Sequence, residues 1–228
     1  MLSAIILAAG KGKRLNAAVP KPLVKIGNSP AIIHSLDSLN KHPDIGEIIV
    51  VLSLTNQGRI VKVIKSHSFK KIKAFVLGGL RRQDSVYNGL KAVSKNSNWV
   101  LIHDSARPFI DSKSITKVIS AAKNNGAALL AVRPKATIKF SRTGSIVTET
   151  LNRDKLWEAQ TPQVFKKTLL LEAYKKYSKS NVTDDASLVE KLGKRVRIIE
   201  GDYGNIKITT AEDLLLAGLI IKRKIHAI

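Results

Sequence analysis

The chain has 228 residues, 44% of them apolar and 25% charged, enough apolar material to bury a full core and to exclude disorder as its main state. It contains no cysteine, which excludes disulfides, iron–sulfur clusters, thiolate zinc sites and cysteine nucleophiles. Thirty-nine Lys and Arg against 17 Asp and Glu give a net charge of +22, which calls for an anionic partner without saying which.

The lysines are spread along the whole chain and aromatics make up only 5%, so the bunched cations and interleaved rings of a nucleic-acid surface are not seen. Most of the charge reads as a solvated lysine-rich surface, the rest as a phosphate-handling site or RNA contacts. Apolar stretches such as residues 4–9 and 100–102 fall far short of the roughly 18 to 20 residues that span a bilayer. The N-terminus has no basic segment and no small-residue cleavage site. A cytoplasmic protein without a membrane anchor is the expectation.

Residues 3–8 predict a buried strand that empties into Ala9-Gly10-Lys11-Gly12-Lys13-Arg14, a loop too basic and Gly-rich to continue it. Ser29-Pro30 predicts a helix start, with Ser as N-cap and Pro at the first helical position; Ile33, Leu36 and Leu39 share one face as far as about residue 41. Strands at 47–53, 73–77, 99–103 and 127–132 then alternate with helices at 59–65, 84–94 and 114–124. That alternation predicts an α/β fold, a mostly parallel sheet with helices on both faces.

The pattern changes after Arg133. Residues 137–140 and 146–150 flank Ser141-Arg142-Thr143-Gly144-Ser145, the pattern of a β-hairpin with a Gly-containing loop, here a protruding arm. Next come a helix at 167–177, a second capped by Thr183 with Asp184 and Asp185 in its first turn, a strand at 196–200 and a last helix from Thr210. There is no internal repeat or linker, so one domain over residues 1–228 with an arm at about 135–153 is expected.

Three junctions carry the chemistry. Ala8-Ala9-Gly10-Lys11-Gly12-Lys13-Arg14, followed by Pro20-Lys21-Pro22, lets backbone N–H groups approach a phosphate chain while fixed cations supply the counter-charge. It is neither a dinucleotide fingerprint nor a P-loop, and Gly-Lys-Gly alone also reads as a basic surface turn. Gly78-Gly79-Leu80-Arg81-Arg82-Gln83-Asp84-Ser85-Val86 is a strand end running into a helix N-terminus, either an ordinary tight turn or a cradle for a base edge or phosphate. In His103-Asp104-Ser105-Ala106-Arg107-Pro108 an acid closes a strand and faces the crevice where open α/β sheets bind ligands. Asp104 there suits a hydrated Mg²⁺ beside phosphates, or else caps the turn and pairs with Arg107. The later segments, 151–163 and 205–210, read individually as a Pro-bounded strand and a helix cap.

Together, A-A-G-x-G-x-R, P-K, G-G-x-x-R-x-x-S-V-x-N-G-L, H-D-x-A-R-P, L-x-R-x-x-L-W-x-A-Q-T-P-Q, T-D-D-A-S-L and N-I-K-I-T-T-x-E-D-L resemble the 2-C-methyl-D-erythritol 4-phosphate cytidylyltransferases of the non-mevalonate isoprenoid pathway, in order from Ala8 to about Ala217. The resemblance implies a Rossmann-like nucleotidyltransferase fold and a homodimer joined through the arm. It also implies CTP, Mg²⁺ and 2-C-methyl-D-erythritol 4-phosphate as reaction partners, with release of pyrophosphate. It assigns Arg14, Lys21, Arg153 and Lys207 to catalysis, and Ala8, Ala9, Gly10, Gly12, Gly79, Arg82, Ser85, Asp104 and Ser105 to the nucleotide. Asp104 also stands beside the metal. Asp104, Arg107, Thr137, Arg153, Ala159, Thr161 and Lys207 surround the methylerythritol phosphate, with Thr137 and Arg153 reaching into the partner's site.

The attacking group in such a reaction is a phosphate oxygen, already anionic near neutral pH, so no general base is needed. This agrees with five scattered His lacking ligand spacing and a Ser105 without a G-x-S-x-G elbow. Pro22, Leu80 and Ala136 depart from the family pattern, which usually has Gln, an acid and Asp at those places. Ribitol-5-phosphate cytidylyltransferase shares most of the motifs, and a basic RNA-binding module on the same fold is the reading from a different class.

Overall fold

The computed structural model describes residues 1–10, 15 and 19–226, the last three by their backbone alone. Strand β1 (Leu2–Ala8) shows how its apolar run works. Leu2, Ala4, Ile6 and Ala8 pack into one buried cluster and Ile5 into another on the opposite face, the period of two that a sheet covered on both sides requires.

β1 pairs in parallel with β4 (Ile45–Leu52) on one side and β6 (Trp99–Asp104) on the other. β5 (Ile72–Leu77) lies outside β4. Beyond β6 come β10 (Glu158–Lys166), β7 (Ala127–Val132) and β11 (Arg197–Glu200). Among the described residues this makes a seven-stranded sheet in the order β11-β7-β10-β6-β1-β4-β5, parallel except for β10. The mostly parallel α/β expectation holds. β10 was visible in the sequence only as a Pro-bounded strand, yet it is an inner strand. Its Pro162, which has no N–H to give, falls where the register against β7 shifts, between Ala159 and Gln163.

Helices α1 (Ala31–Lys41), α2 (Gln57–Lys65) and α4 (Ser112–Asn125) cover one face with Leu36, Leu39, Ile60, Ile64, Val118 and Ile119. On the other face α3 (Arg82–Ala92), α5 (Lys167–Tyr177) and α6 (Ala186–Lys191) contribute Val86, Leu90, Leu170, Ala173 and Leu188. A third cluster, with Leu15, Val24, Ile26, Phe109, Ile208 and Ala217, seats α7 (Ala211–His226) on the segment leading into α1.

Two expected caps are corrected. Ser29 does not cap α1: it pairs with Ile26 in a small two-stranded ladder, β2 (Lys25–Ile26) and β3 (Ser29–Pro30), turned at Gly27, whose φ is +58°. Pro30 stands at the N-cap instead, and the Ala31 N–H bonds the Val24 carbonyl at 2.9 Å. Thr183 does not cap α6, which starts at Ala186. Gln163 on β10 holds the approach to the helix, donating to Asp184 Oδ2 at 2.8 Å and accepting from the Ala186 N–H at 3.1 Å, and Asp185 stands at the N-cap.

The arm is the separate antiparallel pair β8 (Ile138–Phe140) and β9 (Glu149–Leu151), a little shorter and later than the hairpin expected from the sequence. No helix among the described residues is long and apolar enough to cross a membrane.

Candidate active site

The strand order reverses at β1: the chain leaves it for β4 and β5, then crosses to β6 on the other side. Between two such strands, at their C-terminal ends, helices leave in opposite directions and a crevice opens. Here it is a cleft of about 350 Å³. The end of β1 brings Ala8, Ala9 and Gly10 to it; the 3-10 turn Lys21–Leu23 brings Lys21; the β5–α3 junction brings Gly79, Arg82 and Ser85. Asp104, Ser105 and Lys207 complete the lining. Residues some 200 positions apart in sequence thus meet at one cleft, while Arg107, Ala159 and Thr161 lie outside its lining. Gly12 and Arg14 lie outside the described residues.

Asp104 is the electrostatic centre. Its Oδ2 accepts from Lys207 Nζ at 2.6 Å and its Oδ1 lies 3.5 Å from Arg82 Nη2. Burial alone would raise its pKa, but Arg82 and then Lys207 outweigh that and hold the carboxyl well below the usual range. Arg82 is held charged in the same way: burial opposes its proton, and Asp185 followed by Asp104 restores it. Arg82 Nη1 meets Asp185 Oδ2 at 2.7 Å.

The turn after β6 is closed by the backbone, the Arg107 N–H on the Asp104 carbonyl at 3.0 Å, and not by the Asp104 side chain. The Asp104 carboxylate does not pair with Arg107 either. The Arg107 guanidinium instead donates to backbone carbonyls, Asn205 at 2.7 Å and Ala159 at 3.3 Å. Ser105 is drawn onto β1 by its hydroxyl, which donates to the Leu7 carbonyl at 2.8 Å.

His103 lies beneath this turn, fully buried. Its Nε2 faces the Arg107 carbonyl at 3.0 Å, so Nε2 carries the proton and Nδ1 accepts from the Thr161 hydroxyl at 3.1 Å. The Thr161 oxygen in turn accepts the Asp104 N–H at 3.1 Å. Burial, opposed by the Arg107 carbonyl and Asp104, pushes the imidazole down to about 4, leaving it neutral. Asn205 ties the far side by donating to Gln160 Oε1 at 3.1 Å and the Thr161 carbonyl at 3.0 Å, and the Ile208 N–H bonds the Ala106 carbonyl at 2.9 Å. Lys207 is therefore presented from a braced segment.

The Gly78-Gly79 pair is required by packing. A Cβ on Gly78 would lie 2.6 Å from the Ala9 Cβ, and one on Gly79 2.4 Å from the Asp84 Cβ. The Gly79 N–H bonds Ser85 Oγ at 3.1 Å, and the Asp84 carboxylate caps the start of α3 by accepting from the Arg81 N–H at 3.0 Å and from its Nη2 at 2.6 Å. Leu80 is 99% exposed beside the cleft.

Thr137 and Arg153 do not join the cleft lining of their own chain. Arg153, in the 3-10 turn Arg153–Lys155, donates to the Lys135 carbonyl at 2.9 Å within the arm. Sequence reasoning missed Asp185, although T-D-D-A-S-L was among the motifs. No local period reveals a bond from that acid to Arg82, 103 residues away.

Residues 2–223 match the family described as "IspD: 2-C-methyl-D-erythritol 4-phosphate cytidylyltransferase". The enzyme of that name from Geobacillus thermodenitrificans is 44% identical over 224 residues, 97% of each chain, and that from Alkaliphilus oremlandii is 45% identical over 97% of this chain and 95% of its own. Among solved structures, the 4-diphosphocytidyl-2C-methyl-D-erythritol synthase of Anaerococcus prevotii superposes with a TM-score of 0.86 at 35% identity, covering 97% of this chain and 96% of its own. The Thermus thermophilus 2-C-methyl-D-erythritol 4-phosphate cytidylyltransferase gives 0.77 at 30% identity, with 96% and 98% covered. The chain belongs to the 2-C-methyl-D-erythritol 4-phosphate cytidylyltransferase family.

Proposed function

We propose that the β1–β6 cleft transfers CMP from CTP to 2-C-methyl-D-erythritol 4-phosphate and releases pyrophosphate. An oxygen of the acceptor phosphate forms a bond to the α-phosphorus of CTP while the bond from that phosphorus to the β-phosphate's bridging oxygen breaks. The bridging electrons leave with pyrophosphate. Negative charge grows on the leaving and non-bridging oxygens, and fixed cations are the groups that lower such a barrier. Lys21 and Lys207, both at the cleft, are assigned that work, with Arg14 added from its motif.

The single observation that carries the reading is Asp104, held between Lys207 at 2.6 Å and Arg82 at 3.5 Å where the strand order reverses. Gly79 and Ser85 are assigned to the cytidine end, and Arg107, Ala159 and Thr161 to the acceptor side. His103 takes no proton in this scheme: both ring nitrogens are engaged.

Mg²⁺ fits the donor set in one way. Among the described residues no cluster of three or more His, Cys, Asp or Glu could cage a metal, and Asp104 is the one carboxylate among the described residues lining the cleft, as suits an ion that arrives on a triphosphate and keeps most of its waters. Asp104 would hold it, since Oδ1, 3.5 Å from Arg82, retains acceptor capacity. When bound, the ion neutralises phosphate charge.

The active unit in this reading is a homodimer of single-domain protomers whose arms, about residues 135–153, cross so that Thr137 and Arg153 serve the neighbour's cleft. The separation of Arg153 from its own cleft supports this, as does the exposure of Phe140, Ile146 and Val147 on a hairpin that has no core of its own. The test is pyrophosphate release with CTP and Mg²⁺. Turnover with 2-C-methyl-D-erythritol 4-phosphate well above that with ribitol 5-phosphate is expected, and the reverse preference would overturn the assignment.

A further inference from the structure

We propose that Asp185 is a positioning residue for the nucleotide: it acts through Arg82, and the Tyr174 hydroxyl holds it in place. Asp185 is 1% exposed at the N-cap of α6, behind the cleft. Its Oδ1 accepts from Tyr174 Oη at 2.5 Å and its Oδ2 from Arg82 Nη1 at 2.7 Å. Tyr174, itself buried, stacks on Tyr87 with ring centroids 5.6 Å apart. The other arm of the Arg82 fork, Nη2, reaches Asp104 only at 3.5 Å.

The two contacts are unequal, and the inequality is what Asp185 supplies. A guanidinium offered one carboxylate closes on it as a two-pronged fork, the strongest arrangement open to it. Asp185 prevents that closure by taking one prong at charged hydrogen-bond length, which leaves Arg82 split between an anchor behind the cleft and a face towards it. Without Asp185, the remaining acid in reach is Asp104. Arg82 would then fold onto it, fill the nucleotide end of the cleft and compete with Lys207 for Asp104.

A purely structural ion pair explains the arrangement less well. Tyr174 and the adjoining Ala186 belong to one buried cluster with Leu170, Ala173 and Leu188, and well-packed hydrophobic residues in such a place are commonly as stable as a buried ion pair. The triad also has one open end: the Arg82 side chain is 27% exposed and lines the cleft.

This inference rests on the reading that the cleft takes CTP. The test is a double-mutant cycle read by equilibrium titration of CTP, with KM for both substrates alongside. Asp185→Asn should weaken CTP binding about tenfold or more while the KM for the acceptor stays within about twofold, and adding it to Arg82→Ala should weaken binding no more than about twofold further. Tyr174→Phe should show the same pattern at a smaller size, and carries the test alone if Asp185→Asn does not fold. Asp185→Glu, which keeps the charge, should recover part of the loss. Losses that multiply across the cycle, or a CTP affinity untouched by Asp185→Asn, would overturn the role given to Asp185. A wild-type protein that does not bind CTP would instead overturn the reading of the cleft.

Discussion

The cleft and the arm solve the problem of placing a side chain in opposite ways. At the cleft and behind it the polar groups are braced within the chain: Asp104 by Lys207 and Arg82, Arg82 by Asp185, Thr161 by His103, and Asn205 by Arg107 and Gln160. In the arm β8 and β9 share three residue pairs, while Ile146 and Val147 are 71% and 58% exposed. The cleft is set before any ligand arrives, because buried polar groups persist only when their partners hold them. The arm has its ladder of hydrogen bonds, but Phe140, Ile146 and Val147 stay exposed on it, so its apolar side chains gain burial only from a second surface.

The largest expected effect lies in the braced region. Lys207→Ala removes both a cation at the cleft and the 2.6 Å partner of a buried carboxylate, and should lower kcat/KM by about 10³. Steady-state kinetics check it, and a loss below about tenfold would mean that Lys207 serves only to hold Asp104.

A pH titration of stability in the metal-free, nucleotide-free protein probes the same bracing. His103 falls from 6.5 to about 4 on folding, mainly through burial. Between those values the unfolded chain binds the proton and the folded chain does not. Its contribution is therefore complete above pH 6.5 and is lost as pH falls towards 4, by about 3 kcal/mol in total. Denaturant unfolding across that window should show the slope, and His103→Gln should flatten it. An unchanged slope in the variant would contradict a neutral, doubly bonded imidazole.

Lys21→Ala should lower kcat by about 10² if Lys21 stabilises charge in the transition state; a change confined to KM would make it a binding group only. The smallest stability effect belongs to the arm. Ile146→Ser with Val147→Ser should change the unfolding free energy of the monomer by less than about 0.5 kcal/mol, yet raise the dimer dissociation constant about tenfold, as sedimentation would show. Equal effects on both would mean that the arm packs on its own protomer.

What the sequence made legible follows the same division. β1, β7 and the helices before the arm are local patterns of period, and a reader of residues 3–8 or 127–132 needs no distant information to find them. The glycines at 78 and 79 and the acid at 104 were legible because the end of a parallel strand is a special place in this fold class. Ser29 misled because Gly27 allows a tight turn that pairs Ser29 with Ile26, and that turn outcompetes a cap. The inner position of β10 depends on which strands become neighbours, and Asp185 depends on a contact across the sheet's helical layer. Neither leaves a mark in local spacing.

Whether a braced cleft in one protomer is completed by the arm of another, as proposed, is decided by subunit complementation. Arg153→Ala and Lys21→Ala protomers, each nearly inactive alone, are mixed under conditions that exchange subunits, and pyrophosphate release is followed. A shared site gives each heterodimer one site with both defects and one with neither, so activity should rise towards half of wild type per heterodimer. If every protomer builds its site alone, every site in the mixture keeps one defect, and activity that stays at the level of the parent variants would contradict the account.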